Sequence, residues 1–166
     1  MRLLGAILAG GQSRRFGSDK AVALMSGRPL IDHVIAALAP QCAALVIVGR
    51  DGGKWPAIAD HPPGGAGPLA GVNAALHHAA AQGFDAVLSA PCDVPDLPGD
   101  VAAILSPGPA VLADHPVIGL WPAALAPVLD AWLADGGRAV RGFADHVGAR
   151  RVAGPALRNI NYRADL

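Results

Sequence analysis

The sequence predicts an α/β fold with a mostly parallel central sheet and helices on both faces. Three observations predict it. Short apolar runs alternate with longer helix-like segments. Hydrophobic residues make up 52% of the chain but aromatics only 4%, so the core is built from Ala, Val, Leu and Ile. Three Gly- or Pro-bearing segments sit after strand signals, where open parallel sheets bind their ligands.

The elements follow in order. Leu3–Leu8 is an uninterrupted apolar run and reads as a buried strand. Pro29 to Leu38 reads as a helix, with Pro29 suited to its first turn. Ala44–Val48 is a second buried strand, ended by Gly49. Leu69 to Ala81 is an Ala-rich helix that Gly83 stops. Ala86–Ala90 is a third strand, running straight into Pro91-Cys92-Asp93. Short strands are expected near Val111 and over Val117–Leu120, then a helix from about Ala123 to Ala134. A further helix over Arg138–His146 and a last strand at Arg150–Val152 complete the pattern. With 166 residues and no repeat, linker or low-complexity tail, one domain over residues 1–166 is expected. The Pro/Gly-rich stretch from Asp60 to Pro68 reads as an ordered loop.

Composition excludes several function classes. Formal net charge is zero, which advertises neither nucleic acid nor a membrane surface as partner. No apolar run reaches 18 residues. Met1-Arg2-Leu3-Leu4 resembles the start of a signal peptide, but charges and glycines arrive too soon for one. Cys42 and Cys92 form no metal-ligand or disulfide pattern, which fits a reduced cytosolic compartment. Gly-x-x-x-x-Gly-Lys-Ser/Thr, Gly-x-Gly-x-x-Gly after the first strand, and Gly-x-Ser-x-Gly are all absent.

The segment Leu8-Ala-Gly-Gly-Gln-Ser-Arg-Arg-Phe-Gly-Ser-Asp-Lys20 carries the clearest chemistry. Glycines let backbone N–H groups approach an anion, and Arg14, Arg15 and Lys20 surround it with positive charge. The chain has only two lysines, Lys20 and Lys54, against eleven arginines, and no glutamate. A lysine retained inside this loop suggests that a compact ammonium is wanted there. Two further segments fall at strand ends or helix starts: Gly64-Gly-Ala-Gly-Pro-Leu-Ala-Gly71 and Ala90-Pro-Cys-Asp93. Asp93 reads equally as a turn residue before Pro95 and as a Mg²⁺ ligand. His77-His78 reads as a solvated helix face, His33 as a helix-surface residue, Cys42 as a small buried hydrophobe, and the three tryptophans as packing.

With these residues in place, the chain resembles the molybdenum cofactor guanylyltransferases, within the larger nucleotidyltransferase family. Leu8-Ala-Gly-Gly11 with Ser13, Arg15, Gly17, Asp19, Lys20 and Ala21 is similar to that family's opening signature. Gly27-Arg-Pro-Leu30, Asp60 seven residues before Gly67-Pro-Leu-Ala-Gly71, and Pro91-Cys-Asp-Val-Pro95 resemble the elements that follow. His115-Pro116, Gly119-Leu-Trp121, Gly137-Arg138 and Asn159-Ile-Asn161 resemble later ones.

The resemblance implies a single-domain Rossmann-like nucleotidyltransferase fold that transfers GMP from GTP to the terminal phosphate of molybdenum-bound molybdopterin. It implies Arg15, Lys20 and Asp93 as catalytic residues, with Mg²⁺ on Asp93. The nucleotide would meet Leu8, Ala9, Gly10, Gly11, Lys20, Asp60, Gly67, Pro68, Leu69, Ala70, Gly71 and Asp93. The C-terminal part would bind the pterin through His115, Arg138, Asn159 and Asn161. Molybdopterin-delivery and molybdoenzyme-maturation proteins are the macromolecular partners it implies.

Some residues depart from the family pattern. Phe16 stands where Met is common, Gly49 where a polar residue often follows the second strand, and Ala139 where a second basic residue is frequent. Asn161 is followed by Tyr-Arg-Ala-Asp-Leu rather than Thr-Pro-Glu-Asp/Glu-Leu. The alternatives are a cytidylyltransferase for the same pterin, a sugar-phosphate nucleotidyltransferase, and a non-catalytic GTP-binding adaptor.

Overall fold

The computed structural model describes residues 1–10, 20–161 and 163–166. The expected nucleotide and catalytic residues Gly11 and Arg15 therefore lie outside the described residues. Only the backbone of Lys20 is described, at the start of a 3-10 turn over Lys20–Val22.

The described elements are β1 (Leu3–Leu8), a small hairpin of β2 (Leu24–Met25) and β3 (Arg28–Pro29), α1 (Leu30–Leu38), β4 (Ala44–Val48), β5 (Ala57–Ile58) and α2 (Pro68–Gln82). Then come β6 (Ala86–Pro91), α3 (Val101–Leu105), β7 (Ala110–Leu112), β8 (His115–Pro122), α4 (Ala126–Ala134), α5 (Val140–His146) and β9 (Arg150–Val152). All strands but the hairpin join one sheet in the order β5-β4-β1-β6-β8-β7-β9. Pairing is parallel from β5 to β6, antiparallel on both sides of β8, and parallel again between β7 and β9.

Alternation along each strand sorts the core into two layers. On one face, Leu4, Ala6, Val46, Val48, Val87 and Trp121 pack under α2, α4 and α5. On the other, Leu3, Ile7, Leu45, Ile47, Leu88 and Leu120 pack under α1 and α3. Strands covered on both sides need no polar alternation, which is why β1, β4 and β6 read as continuous apolar runs. The one fully buried polar side chain in the sheet among the described residues, Ser89, is satisfied: it donates to the Val117 carbonyl at 2.6 Å and accepts from Trp121 Nε1 at 3.0 Å. No helix among the described residues is long and apolar enough to cross a membrane.

Several boundaries differ from expectation. Pro29 does not open α1; it ends the hairpin, paired with Leu24, and its extended backbone (φ −53°, ψ 143°) hands over to the helix. Ser26 and Gly27, both at positive φ, turn the hairpin, a two-residue device that suits short strands. The helix expected from Ala123 begins as a 3-10 turn over Ala123–Leu125 and becomes α4 at Ala126, with Pro127 in its first turn, where a missing N–H costs nothing. The helix expected from Arg138 begins at Val140, because Gly137 and Arg138 are used to close α4 instead. His115 opens β8, two residues ahead of the strand expected over Val117–Leu120.

Candidate active site

The carboxyl ends of β1, β4 and β6 lie side by side, and a cavity of about 700 Å³ opens over them. The ladder continues past the strand ends. Ala9 N–H donates to the Val48 carbonyl at 2.9 Å, Gly49 N–H to Ile58 at 2.9 Å, and Cys92 N–H to Leu8 at 3.2 Å. These bonds fix the three chain exits relative to one another. Leu8, Ala9 and Gly10 line the cavity from β1, Val48 from β4, and Pro91, Cys92 and Asp93 from β6.

Close backbone approach explains the glycines. A Cβ on Gly49 would lie 2.5 Å from Gly10 Cα and 2.9 Å from Gly10 N, and Gly49 has φ +89°. Only glycine fits there without moving the β1 exit, so the departure from a polar residue at this position has a packing reason. A Cβ on Gly71 would lie 2.9 Å from Leu8 Cδ2 and 3.5 Å from Asp60 Oδ1. The first turn of α2 is therefore pressed against both the β1 exit and Asp60. Gly67, at φ +70°, leads into that helix, and Gly65, Gly67, Pro68 and Gly71 all line the cavity. The start of this 15-residue helix thus borders the cavity, and the positive end of its dipole favours an anion there.

Asp60 reaches the cavity from the loop before α2, which is tied down by a 3.0 Å bond from His61 N–H to the Ala70 carbonyl. Burial pushes the Asp60 carboxyl above its ordinary range. Asp93 lies half-buried across the cavity, and its carbonyl accepts from Ile160 N–H at 2.9 Å. That bond brings the C-terminal segment, and with it Asn159, to the cavity rim. A two-pronged ion pair fixes the same segment: Arg158 donates from Nε to Asp96 Oδ2 at 2.7 Å and from NH2 to Oδ1 at 2.9 Å. The Arg158 guanidinium holds the Asp96 carboxyl below its usual range.

Of the expected site residues, Leu8, Ala9, Gly10, Asp60, Gly67, Pro68, Gly71, Asp93, His115 and Asn159 line one cavity. Leu69 and Ala70 do not; both are buried core residues on the inward side of α2. Arg138 and Asn161 do not either. One guanidinium nitrogen of Arg138 donates to the carbonyls of Leu133 at 3.0 Å and Gly137 at 2.7 Å, closing the end of α4. Asn161 is half-buried, and its N–H donates to Asp165 Oδ2 at 2.9 Å. Gly137 packs on the Trp132 indole, and a Cβ on Gly119 would lie 2.7 Å from Trp121 Nε1. The glycines of both later motifs thus answer to packing. Sequence reasoning missed Val48, Asp114 and Val117 as lining residues. Asp114, a third carboxylate at the cavity after Asp60 and Asp93, had a signal in its place directly before His115-Pro116.

Outside the cavity, His77 and His78 are half-buried on α2 rather than on a fully solvated face, and His77 meets Asp130 of α4. Cys42 is half-buried against the core, and burial pushes its thiol up to about 11, which disfavours the thiolate near neutral pH.

A glycine-lined cleft at parallel strand ends, with a helix start and an acidic group opposite, suits a nucleotide phosphate chain. Residues 5–149 match the profile of the MobA-like NTP transferase domain. The chain belongs to that family. It is 44% identical, over all of its own length and 94% of the relative's, to a protein of Cereibacter sphaeroides named molybdenum cofactor guanylyltransferase. It is 41% identical to a protein of the same name from Acidiphilium cryptum, over 99% of this chain and 92% of that one. Among solved structures, its fold is similar to molybdopterin-guanine dinucleotide biosynthesis protein A from Archaeoglobus fulgidus (TM-score 0.73, 24% identity, 98% of this chain and 94% of that one). It is also similar to 2-C-methyl-D-erythritol 4-phosphate cytidylyltransferase from Thermus thermophilus (TM-score 0.63, 17% identity, 96% and 93%). This chain is therefore a nucleotidyltransferase, with the α/β fold and mostly parallel sheet its sequence predicts.

Proposed function

We propose that the enzyme transfers GMP from GTP to the terminal phosphate of molybdenum-bound molybdopterin, forming the guanine dinucleotide cofactor and pyrophosphate. The observation that carries the reading is the convergence of Leu8–Gly10, Asp60, Gly67, Pro68, Gly71 and Asp93 on one cavity. The name borne by relatives more than 40% identical over nearly the whole chain supports the guanylyl and pterin parts.

The chemistry asks little of side chains. A phosphate monoester has a second pKa of about 6, so the attacking oxygen is already anionic near neutral pH and needs no general base. It attacks the α-phosphorus of GTP, and the bond from that phosphorus to the bridging oxygen of pyrophosphate breaks. The protein's part is positioning and charge neutralisation. The β1 exit and the Gly67–Gly71 turn present backbone groups to the purine and phosphates. Arg15 and Lys20, which follow β1 in the sequence, offset charge on the leaving pyrophosphate. Asp93 is the residue that would hold Mg²⁺, a hard cation that takes carboxylate oxygen, and Asp114 lines the same cavity. Bound there, the metal would supply charge neutralisation at the phosphates. His115 and Asn159, on the side of the cavity reached from β8 and the C-terminal segment, receive the pterin.

Binding titrations of GTP, CTP, ATP and UTP with Mg²⁺ test the base assignment. A site built to hydrogen-bond guanine leaves polar groups unpaired against another base, at about 1–3 kcal/mol each. GTP is expected to bind at least tenfold more tightly than CTP. Equal affinity, or preference for CTP, would overturn the guanylyl reading and favour the cytidylyl alternative. Tight GTP binding without turnover of the pterin would favour an adaptor.

A further inference from the structure

On the far side of the Asp60 loop, His61, His77 and Asp130 come together from three separate elements: the loop before α2, the middle of α2, and α4. Their ligand atoms all lie within 4.8 Å of one another. His77 Nε2 is 2.9 Å from both carboxylate oxygens of Asp130, and His61 Nε2 is 3.8 Å from Oδ1. The imidazoles stand edge to face, 5.0 Å apart, and each has its Nε2 toward the Asp130 carboxylate. Donors about 2.0–2.2 Å from a shared ion stand roughly 3–3.5 Å apart, which is the scale of this cluster.

A second observation singles the cluster out. Asn73, one turn before His77, is completely buried. Its Nδ2 donates to Asp130 Oδ1 at 2.8 Å and to the His61 backbone carbonyl at 3.0 Å. One buried amide therefore orients the carboxylate and pins the backbone of a second member. Its own Oδ1 has no partner among the described residues. Burying an amide with one end unsatisfied is costly. An outer group that hydrogen-bonds a ligating carboxylate is what metal sites use to fix their donors.

We propose that His61, His77 and Asp130 form a binding site for a divalent transition-metal ion, with Zn²⁺ the best match. Two imidazoles and one carboxylate are borderline donors, suited to Zn²⁺ rather than to Mg²⁺, which takes oxygen. The three members are partly exposed, so an ion has a path in and water completes its coordination. The ion would clamp the Asp60–His61 loop to α2 and α4, fixing one wall of the cavity from behind. The site does not depend on which nucleotide or acceptor the cavity takes.

The test is a Zn²⁺ titration of the full, tag-free chain against a chromogenic chelator, with thermal unfolding followed with and without Zn²⁺. The wild-type chain is expected to bind one equivalent that Asp93→Asn leaves intact and that millimolar Mg²⁺ does not displace. It should also unfold at higher temperature with Zn²⁺. His77→Ala is expected to weaken binding at least tenfold and to abolish the thermal shift. His61→Gln alters the most exposed member, whose imidazole lies no closer than 3.8 Å to Asp130 among the described residues, and should weaken binding at least tenfold in a chain that still folds. No saturable binding, binding unchanged in His61→Gln, or loss of the equivalent in Asp93→Asn would each overturn the proposal.

Discussion

The two halves of the sheet treat their motif residues differently. On the parallel side, β1, β4 and β6 end together, and motif residues at those ends line the cavity almost without exception. On the side beyond β6, where β8 runs antiparallel, the later motifs scatter. His115 and Asn159 reach the cavity, while Arg138 and Asn161 do not. A parallel strand delivers its carboxyl end to the same edge as its neighbours, so a motif placed there is placed at the site. An antiparallel strand brings its amino end to that edge, and β8 therefore offers His115, its first residue. Motif residues in later connections have no such constraint, and some serve the fold.

The sharpest test of the parallel half is Asp93→Asn, which keeps size and removes charge. Turnover is expected to fall at least a hundredfold at saturating Mg²⁺, with the unfolding temperature little changed. A steady-state assay of pyrophosphate release beside a thermal melt reads both. Wild-type rates would remove Asp93 from the reaction and leave it as the turn residue before Pro95.

Gly49→Ala tests whether the strand exits are held by backbone contact. The new Cβ would stand 2.5 Å from Gly10 Cα, on a residue at φ +89°. Strain of this kind costs about 1–3 kcal/mol. Part is expected as lost stability and part as a GTP dissociation constant raised roughly tenfold, because the β1 exit must move. Gly53→Ala is the control: φ is also positive, but nothing lies within 4 Å. It should lose stability and leave nucleotide binding alone. Equal effects on binding would mean that the Gly10–Gly49 contact has no part in shaping the site.

Within the other half, His115→Ala and Arg138→Ala should separate. His115→Ala is expected to raise KM for the pterin substrate about fivefold or more, leaving KM for GTP near its original value. Arg138→Ala removes two hydrogen bonds at the end of α4, for a loss of about 1 kcal/mol, and leaves both KM values alone. If Arg138→Ala raises the pterin KM instead, its guanidinium leaves the α4 carbonyls to bind substrate.

These contrasts show how much the sequence makes legible. The buried parallel strands are plain in it, because double-sided burial demands uninterrupted apolar residues. The two-residue strands β2, β3 and β5 are not, because two residues carry no period. The Gly10, Gly67 and Asp93 positions are readable as a site because strand and helix signals flank them. Arg138 looks like a substrate cation because sequence cannot show that nearby carbonyls already occupy its guanidinium. The His61–His77–Asp130 cluster is invisible for a related reason. Its members are 16 and 53 residues apart in sequence and meet only through the packing of α2 on α4.

The smallest expected effect concerns how the C-terminal segment is held, and pH gives it a sign. Arg158 keeps Asp96 ionised below its ordinary pKa of 3.8. A carboxyl whose pKa is lowered by folding stabilises the fold above that value, and the contribution is lost as pH falls through the lowered pKa. Arg158→Ala should therefore unfold at slightly lower temperature than wild type at pH 7, with the gap closing below about pH 4 as Asp96 protonates. The pair is partly exposed, so added salt should shrink the same gap. Because Asn159 follows Arg158 directly and Ile160 bonds the Asp93 carbonyl, freeing the segment should also raise KM for the pterin more than for GTP. Thermal melts at pH 7, 5 and 3, with KM for both substrates, read all of this. A gap that stays constant with pH would assign the anchoring to Ile160, which is buried against Leu30, and leave the ion pair with no part in holding Asn159 at the cavity.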